Sequence, residues 1–216
     1  MIDFSLLYTA TLETLYMVFF STLLTFFIGI IIGVLLFLTD HERLFKLNFL
    51  FSILSFIVNI LRSIPFFVLV LLILPLSRIL VGTTLGPTAA ILPLTIGAAP
   101  FFARLVETAC KEVDQGIIAA ALAMGASNFQ LIFRVVLPEA LPSIVSGITV
   151  TCISLISFSA MVGIIGSGGL GDVAYRFGFQ SFNNKMLFGC CILLVLLVQL
   201  VQVSGDFLSK KLAKTS

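Results

Sequence analysis

Four stretches of this chain, residues 14–39, 79–103, 140–171 and 186–205, contain no Asp, Glu, Lys or Arg at all. Each meets or exceeds the roughly 20 residues with which a helix crosses a hydrocarbon core. A fifth stretch, 47–77, is interrupted only by Arg62. Hydrocarbon offers the backbone no hydrogen-bond partner, so runs of this length commit the chain to helices. With 60% hydrophobic and 10% charged residues the composition lies far outside the soluble range. The expected fold is all-α and integral to the membrane, with five transmembrane helices and residues 1–216 as one transmembrane domain.

Basic residues set the expected orientation, because Lys and Arg are retained on the cytoplasmic side. No Lys or Arg precedes the first span, whereas Arg43 and Lys46 follow it. The N-terminus is therefore expected outside and the C-terminus cytoplasmic. Alternation then puts Arg43, Lys46, Arg104, Lys111, Arg134, Lys210, Lys211 and Lys214 inside, against Arg78, Arg176 and Lys185 outside. A cleaved signal peptide would need a basic segment ahead of its apolar core, so the first span is expected to be retained. The basic tail after residue 209 reads as an anchor to membrane lipid, and a net charge of +2 offers nothing to nucleic acid.

Chemistry within the chain is poorly supported. His41 is the only histidine and sits in a short charged turn, which leaves no Ser-His pair and no two-His metal site. The four cysteines, 110, 152, 190 and 191, lack ligand spacing, and neither a metal site nor a disulfide is expected. The acids are expected near span ends, which disfavours a carboxylate proton relay. Residues 166–171, GSGGLG, satisfy G-x-G-x-x-G without a surrounding βαβ unit, so they read as a tight external loop with unusual dihedrals. The chain is expected not to be an enzyme.

Features inside the spans suggest helix contacts and a pathway. Gly29 and Gly33 have the small-xxx-small spacing that lets helices approach closely. Pro87, Pro93 and Pro100 are expected to kink the third span, about 87–109. Arg62 precedes Pro65, and a charge at mid-membrane costs about 2.5–3.5 kcal/mol on insertion scales. Two readings stay open: Arg62 lies beside a pathway or gate, with Glu107 as a candidate partner, or the span starts near Ile60 and Arg62 snorkels to the inner headgroups. In the fourth span, about 141–165, Ser157, Phe158 and Met161 offer an aromatic face and a polarizable thioether to a passing solute, or serve plain packing.

Residues 109–138 form a cytoplasmic loop of a different kind. Asp114 is placed to cap a short helix, 117–124, and Gly125 to end it in a left-handed conformation. Ser127 and Gln130 fit a capping box that starts a second helix, running to Val136 before Pro138 stops it. Ile117, Ile118, Ala121, Leu122 and Met124 give the first helix an apolar face too short to span. Such a face lies on the membrane or fits a groove in a partner.

This loop resembles that of ABC importer permeases, E-A-A-x3-G-x9-I-x-L-P, through Ala120, Ala121, Gly125, Val135, Leu137 and Pro138. Ala119 stands where that family has Glu, so docking here would rest on shape and apolar contact. Blocks at 58–66, 92–107, 123–142 and 158–179 extend the resemblance to the permeases of methionine importers. It implies a type I ABC importer permease fold in the bacterial inner membrane, and a homodimer with two ATP-binding subunits. It also implies an extracytoplasmic substrate-binding lipoprotein. ATP and Mg would belong to the partner subunits, with no cofactor in this chain. Coupling to the ATPase would fall to Ile117, Ile118, Ala119, Ala120, Ala121, Leu122, Met124, Gly125 and Ser127, and the resemblance would put Phe158 and Met161 on the translocation pathway, beside the Ser157 that the residues themselves suggest. A permease for another small amino acid, or a membrane scaffold that docks a soluble partner without transport, remains the alternative.

Overall fold

A computed structural model describes residues 3–40 and 48–213. His41, Arg43, Lys46 and Lys214, used above for orientation and chemistry, lie outside the described residues. Among those described there is no strand. Nine α-helices follow in order: α1 (Phe4–Thr39), α2 (Asn48–Ser63), α3 (Phe66–Val81), α4 (Pro87–Lys111), α5 (Gln115–Ala123), α6 (Asn128–Leu131), α7 (Leu137–Val162), α8 (Gly169–Val173) and α9 (Asn184–Ala213).

The first helix starts earlier than its uncharged run. The Asp3 carboxylate accepts the N–H groups of Ser5 and Leu6 at 3.1 and 3.3 Å, so the helix is capped there. Its 36 residues rise about 54 Å, well beyond a hydrocarbon core of about 30 Å. The added turns bury Leu7 and Ala10 against Leu170, Val173, Met186 and Cys190.

Helix α4 is the centre of the bundle: 61% of its most apolar window is buried, against 11% for α9. Small buried residues, among them Ala89, Ala90, Ala98, Ala99 and Ala103, let its neighbours close in. It continues without a break through Pro93 and Pro100. Helix α1 lies closest. A Cβ on Gly33 would sit 2.6 Å from the Ala103 carbonyl oxygen, and one on Gly29 2.5 Å from the Phe102 ring. The small-xxx-small motif is therefore used within the chain, against α4.

The run 47–77 is more than kinked. Helices α2 and α3 meet at 107° across Ile64 and Pro65, where proline disfavours helical geometry in the residue before it. Each arm has 16 residues, too few to cross alone. Four helical segments are long and apolar enough to span, and five if the bent pair counts as one.

Two expectations are corrected. Pro138 does not end the second loop helix, because α6 passes through a π-helical turn, Ile132–Val136, directly into α7. The Leu137 N–H reaches back to the Ile132 carbonyl, and this wide turn delivers Pro138 to the first turn of α7, where its missing N–H is harmless. Loop and span thus form one 40-residue helical unit, Asn128–Ser167. The glycine-rich segment is likewise no simple loop. Gly166, Gly168 and Gly169 do adopt positive φ of 105°, 78° and 78°, but they fold the chain back into α8, whose Gly169, Leu170, Gly171 and Val173 are buried.

Candidate functional site

Helix α5 is fixed at both ends by local chemistry. The Asp114 carboxylate accepts the Gly116 N–H at 2.6 Å and the Ile117 N–H at 3.3 Å. A Cβ at Gly116 would come within 2.8 Å of that oxygen, so glycine leaves the cap its room. At the other end the Ala126 N–H bonds the Ala121 carbonyl and the Gly125 N–H the Leu122 carbonyl. This is a Schellman closure around Gly125, whose φ is 81°. Ser127 and Gln130 then form the reciprocal capping box, at 3.3 and 3.0 Å.

Packing leaves most of α5 uncovered. Ala121 is buried and Ile118 half-buried against Phe37, Val106, Val113, Leu131 and Val136, which ties the helix to the ends of α1, α4 and α7. Ile117, Ala119, Ala120, Leu122, Met124, Gly125 and Ser127 are exposed, Met124 at 84%. A helix that is apolar all round is ordinarily buried all round. Here one side is anchored and the rest presents an apolar ridge.

A charged ladder joins α5's mounting to two other helices. Glu107, buried on α4, is held by Arg104 at 2.7 Å and Lys111 at 2.8 Å, and Lys111 also reaches Asp40 at the end of α1 at 2.7 Å. Arg104 donates onward to Asn59 of α2 at 3.0 Å and to the Ser55 hydroxyl. Glu107 therefore does not pair with Arg62. The i,i+3 and i,i+4 spacing of Arg104, Glu107 and Lys111 was the available signal.

Arg62 instead lies in the last turn of α2, on the wall of an open cavity of about 420 Å³. The middle turns of α4, through Gly97, Ala98 and Phe101, form one wall, and Ser154 and Phe158 of α7 another. Phe66 and Phe158 stack face to face with centroids 4.0 Å apart. The Arg62 guanidinium sits 6.0 Å from the Phe101 ring centroid. It lies beside the bend, at the end of α2. Of the other pathway candidates, Ser157 lines a separate groove toward Gln199 of α9, and Met161 is exposed. The structure thus brings Phe158 together with Arg62 and Ser154, and not with Ser157 or Met161.

On the opposite part of the fold Glu13 accepts the Gly169 N–H at 2.7 Å and Thr14 the Leu170 N–H at 2.9 Å. These are the donors a phosphate would need at such a glycine turn. Side chains of α1 occupy them.

An apolar bundle with a bent span, a cavity at the bend and a protruding capped helix is matched by known proteins. The profile described as "Binding-protein-dependent transport system inner membrane component" aligns with residues 25–214. The chain belongs to this family. It is a multi-pass protein of the inner membrane. It is 48% identical over 206 residues to the probable D-methionine transport system permease protein MetI of Vibrio cholerae, covering 95% of this chain and 92% of that one. It is 47% identical over 213 residues to the methionine import system permease protein MetP of Bacillus subtilis, covering 99% and 96%. An inward-facing structure of the MetNI methionine ABC transporter superposes with a TM-score of 0.94 at 44% identity, covering 97% of each chain.

Proposed function

We propose that this chain is the membrane-spanning permease subunit of an ABC importer for methionine, driven by ATP hydrolysis on partner subunits. Two copies would pair in the membrane with two ATP-binding subunits below, which hold ATP and Mg. A substrate-binding lipoprotein would deliver solute from outside. On this reading the chain crosses five times, with the N-terminus out, and α5 is the element that the ATPase grips.

The observation that carries the reading is α5 itself. It is capped at both ends and anchored on one side, and among the described residues nothing covers its remaining apolar surface from Ile117 to Met124. Through Ala121 and Ile118 it packs on the end of α4, which Lys111 ties to α1 and Arg104 ties to α2. Closure of an ATPase dimer that moved α5 would tilt the bent α2–α3 pair with it, which supplies the two-state element that alternating access requires. Ala119, exposed on the ridge, brings no charge, so apolar contact would carry the docking.

The test is reconstitution of the permease with its ATPase and binding protein in vesicles, followed by ATP-dependent accumulation of labelled methionine. Accumulation expected with wild type should be lost with Gly125→Asp. Preferential accumulation of a different small amino acid would overturn the substrate. Absence of any ATP-dependent uptake, with the complex intact, would favour a docking scaffold.

A further inference from the structure

The cavity at the α2–α3 bend holds one formal charge, and nothing in the mechanism so far uses it. Arg62 is that charge, and among the described residues no carboxylate pairs with it. A cation on the wall of a cavity in a membrane protein commonly faces a partner or a solute path. Arg62 is exposed in the last turn of α2, which stops at Ser63 before the chain turns through 107° into α3. The Phe101 ring covers one side of the guanidinium. A guanidinium's N–H fork matches a carboxylate with two parallel hydrogen bonds.

The rest of the wall specifies what accompanies the carboxylate. Phe66 and Phe158 form a flat apolar surface, and Gly97 makes room for it: a Cβ there would fall 2.9 Å from the Phe66 ring. The Ser154 hydroxyl, bonded to the Val150 carbonyl at 3.0 Å, is the other polar side chain on the wall. No acidic residue lines the cavity, so a ligand ammonium has no counter-charge there. The volume is at the small end of ligand sites.

We infer that Arg62 is the carboxylate-reading residue of a transient substrate subsite between α2, α4 and α7, which takes a small solute combining a carboxylate with an apolar side chain. The inference rests on the importer reading and deepens it by naming a contact. One charged contact in an otherwise apolar cavity also suits transit, because it orients the solute without holding it.

The subsite is tested directly, without ATP or binding protein. Ser154→Cys in the purified permease–ATPase complex in nanodiscs is labelled by a thiol reagent, with the parent protein run in parallel to subtract its own cysteines. Methionine and 4-(methylthio)butanoate at millimolar concentration should slow labelling about fivefold, by simple competition. The amine 3-(methylthio)propylamine, which lacks the carboxylate, should not. Adding Arg62→Gln should abolish the protection, and Arg62→Lys should retain part of it. Equal protection by the amine, protection that survives Arg62→Gln, or no protection by any of the three would overturn the assignment. If vesicles accumulate methionine while no protection is seen, the subsite fails and the importer reading stands. Carboxylate-specific protection without methionine uptake would keep the subsite and remove the substrate.

Discussion

Replacing Gly33 by alanine tests a close contact between α1 and the backbone of α4. The added Cβ would lie 2.6 Å from both the Ala103 carbonyl oxygen and the Val106 Cβ. That is about 0.8 Å inside the 3.4 Å at which ordinary contact begins. One obstacle is α4 backbone and the other a fully buried side chain, so neither can rotate away and the helices must part. Overpacking of this kind costs about 1–3 kcal/mol, and a backbone obstacle belongs at the upper end. Alanine regains up to about 1 kcal/mol of helix propensity. The net destabilisation expected is about 2 kcal/mol, or a melting temperature lower by roughly 4–8 °C for a chain of this size. The assay is the apparent melting temperature of the detergent-purified protein, read by loss of its monodisperse peak on heating. Gly189→Ala in α9 is the matched control: its Cβ would meet only a Leu7 methyl at 3.5 Å, so it should melt at or above wild type. The reasoning is refuted if Gly33→Ala melts with wild type, or if Gly189→Ala falls by as much.

Other sites give further outcomes. Gly125→Ala meets nothing within 4 Å but must hold a φ of 81°, which costs about 1–2 kcal/mol for a residue with a Cβ; amides of α5 should exchange faster in hydrogen exchange while the global melting temperature stays put. Glu13→Ala removes a charge-assisted bond to the Gly169 N–H, worth about 1.5–3 kcal/mol. Faster exchange at the Gly169 and Leu170 amides is expected, with Glu13→Gln intermediate. Glu107→Gln leaves Arg104 and Lys111 facing a neutral group. The full penalty for breaking a buried pair is about 3–5 kcal/mol, but the two cations are 20% and 35% exposed and solvent screens them. A loss of about 2 kcal/mol should appear as a lower melting temperature, and salt should reduce the difference.

What the sequence made legible follows the range of the interaction responsible. Asp114, Gly125 and the Ser127–Gln130 box were readable because caps act over two to five residues, and each closes as its local rule requires. Hydropathy gave the long helices but not their ends, since the Asp3 cap that starts α1 is a polar signal outside the apolar run. Pro138 is ambiguous in sequence because a proline that ends a helix and one that enters a helix look alike until the preceding π turn is known. Gly29 and Gly33 announced a close approach without naming the partner, and the partner is α4. The Glu13 bond joins residues 156 apart in sequence, and no local pattern points to it. The cavity is the instructive case. Ser157, Phe158 and Met161 were grouped by chemistry, yet neighbours on a helix are turned about 100° from each other, so Ser157 cannot share the face of Phe158. The i,i+4 pair Ser154 and Phe158 does share it, and both line the cavity with Arg62. Periodicity, applied to polar residues as strictly as to apolar ones, picks out this cavity wall.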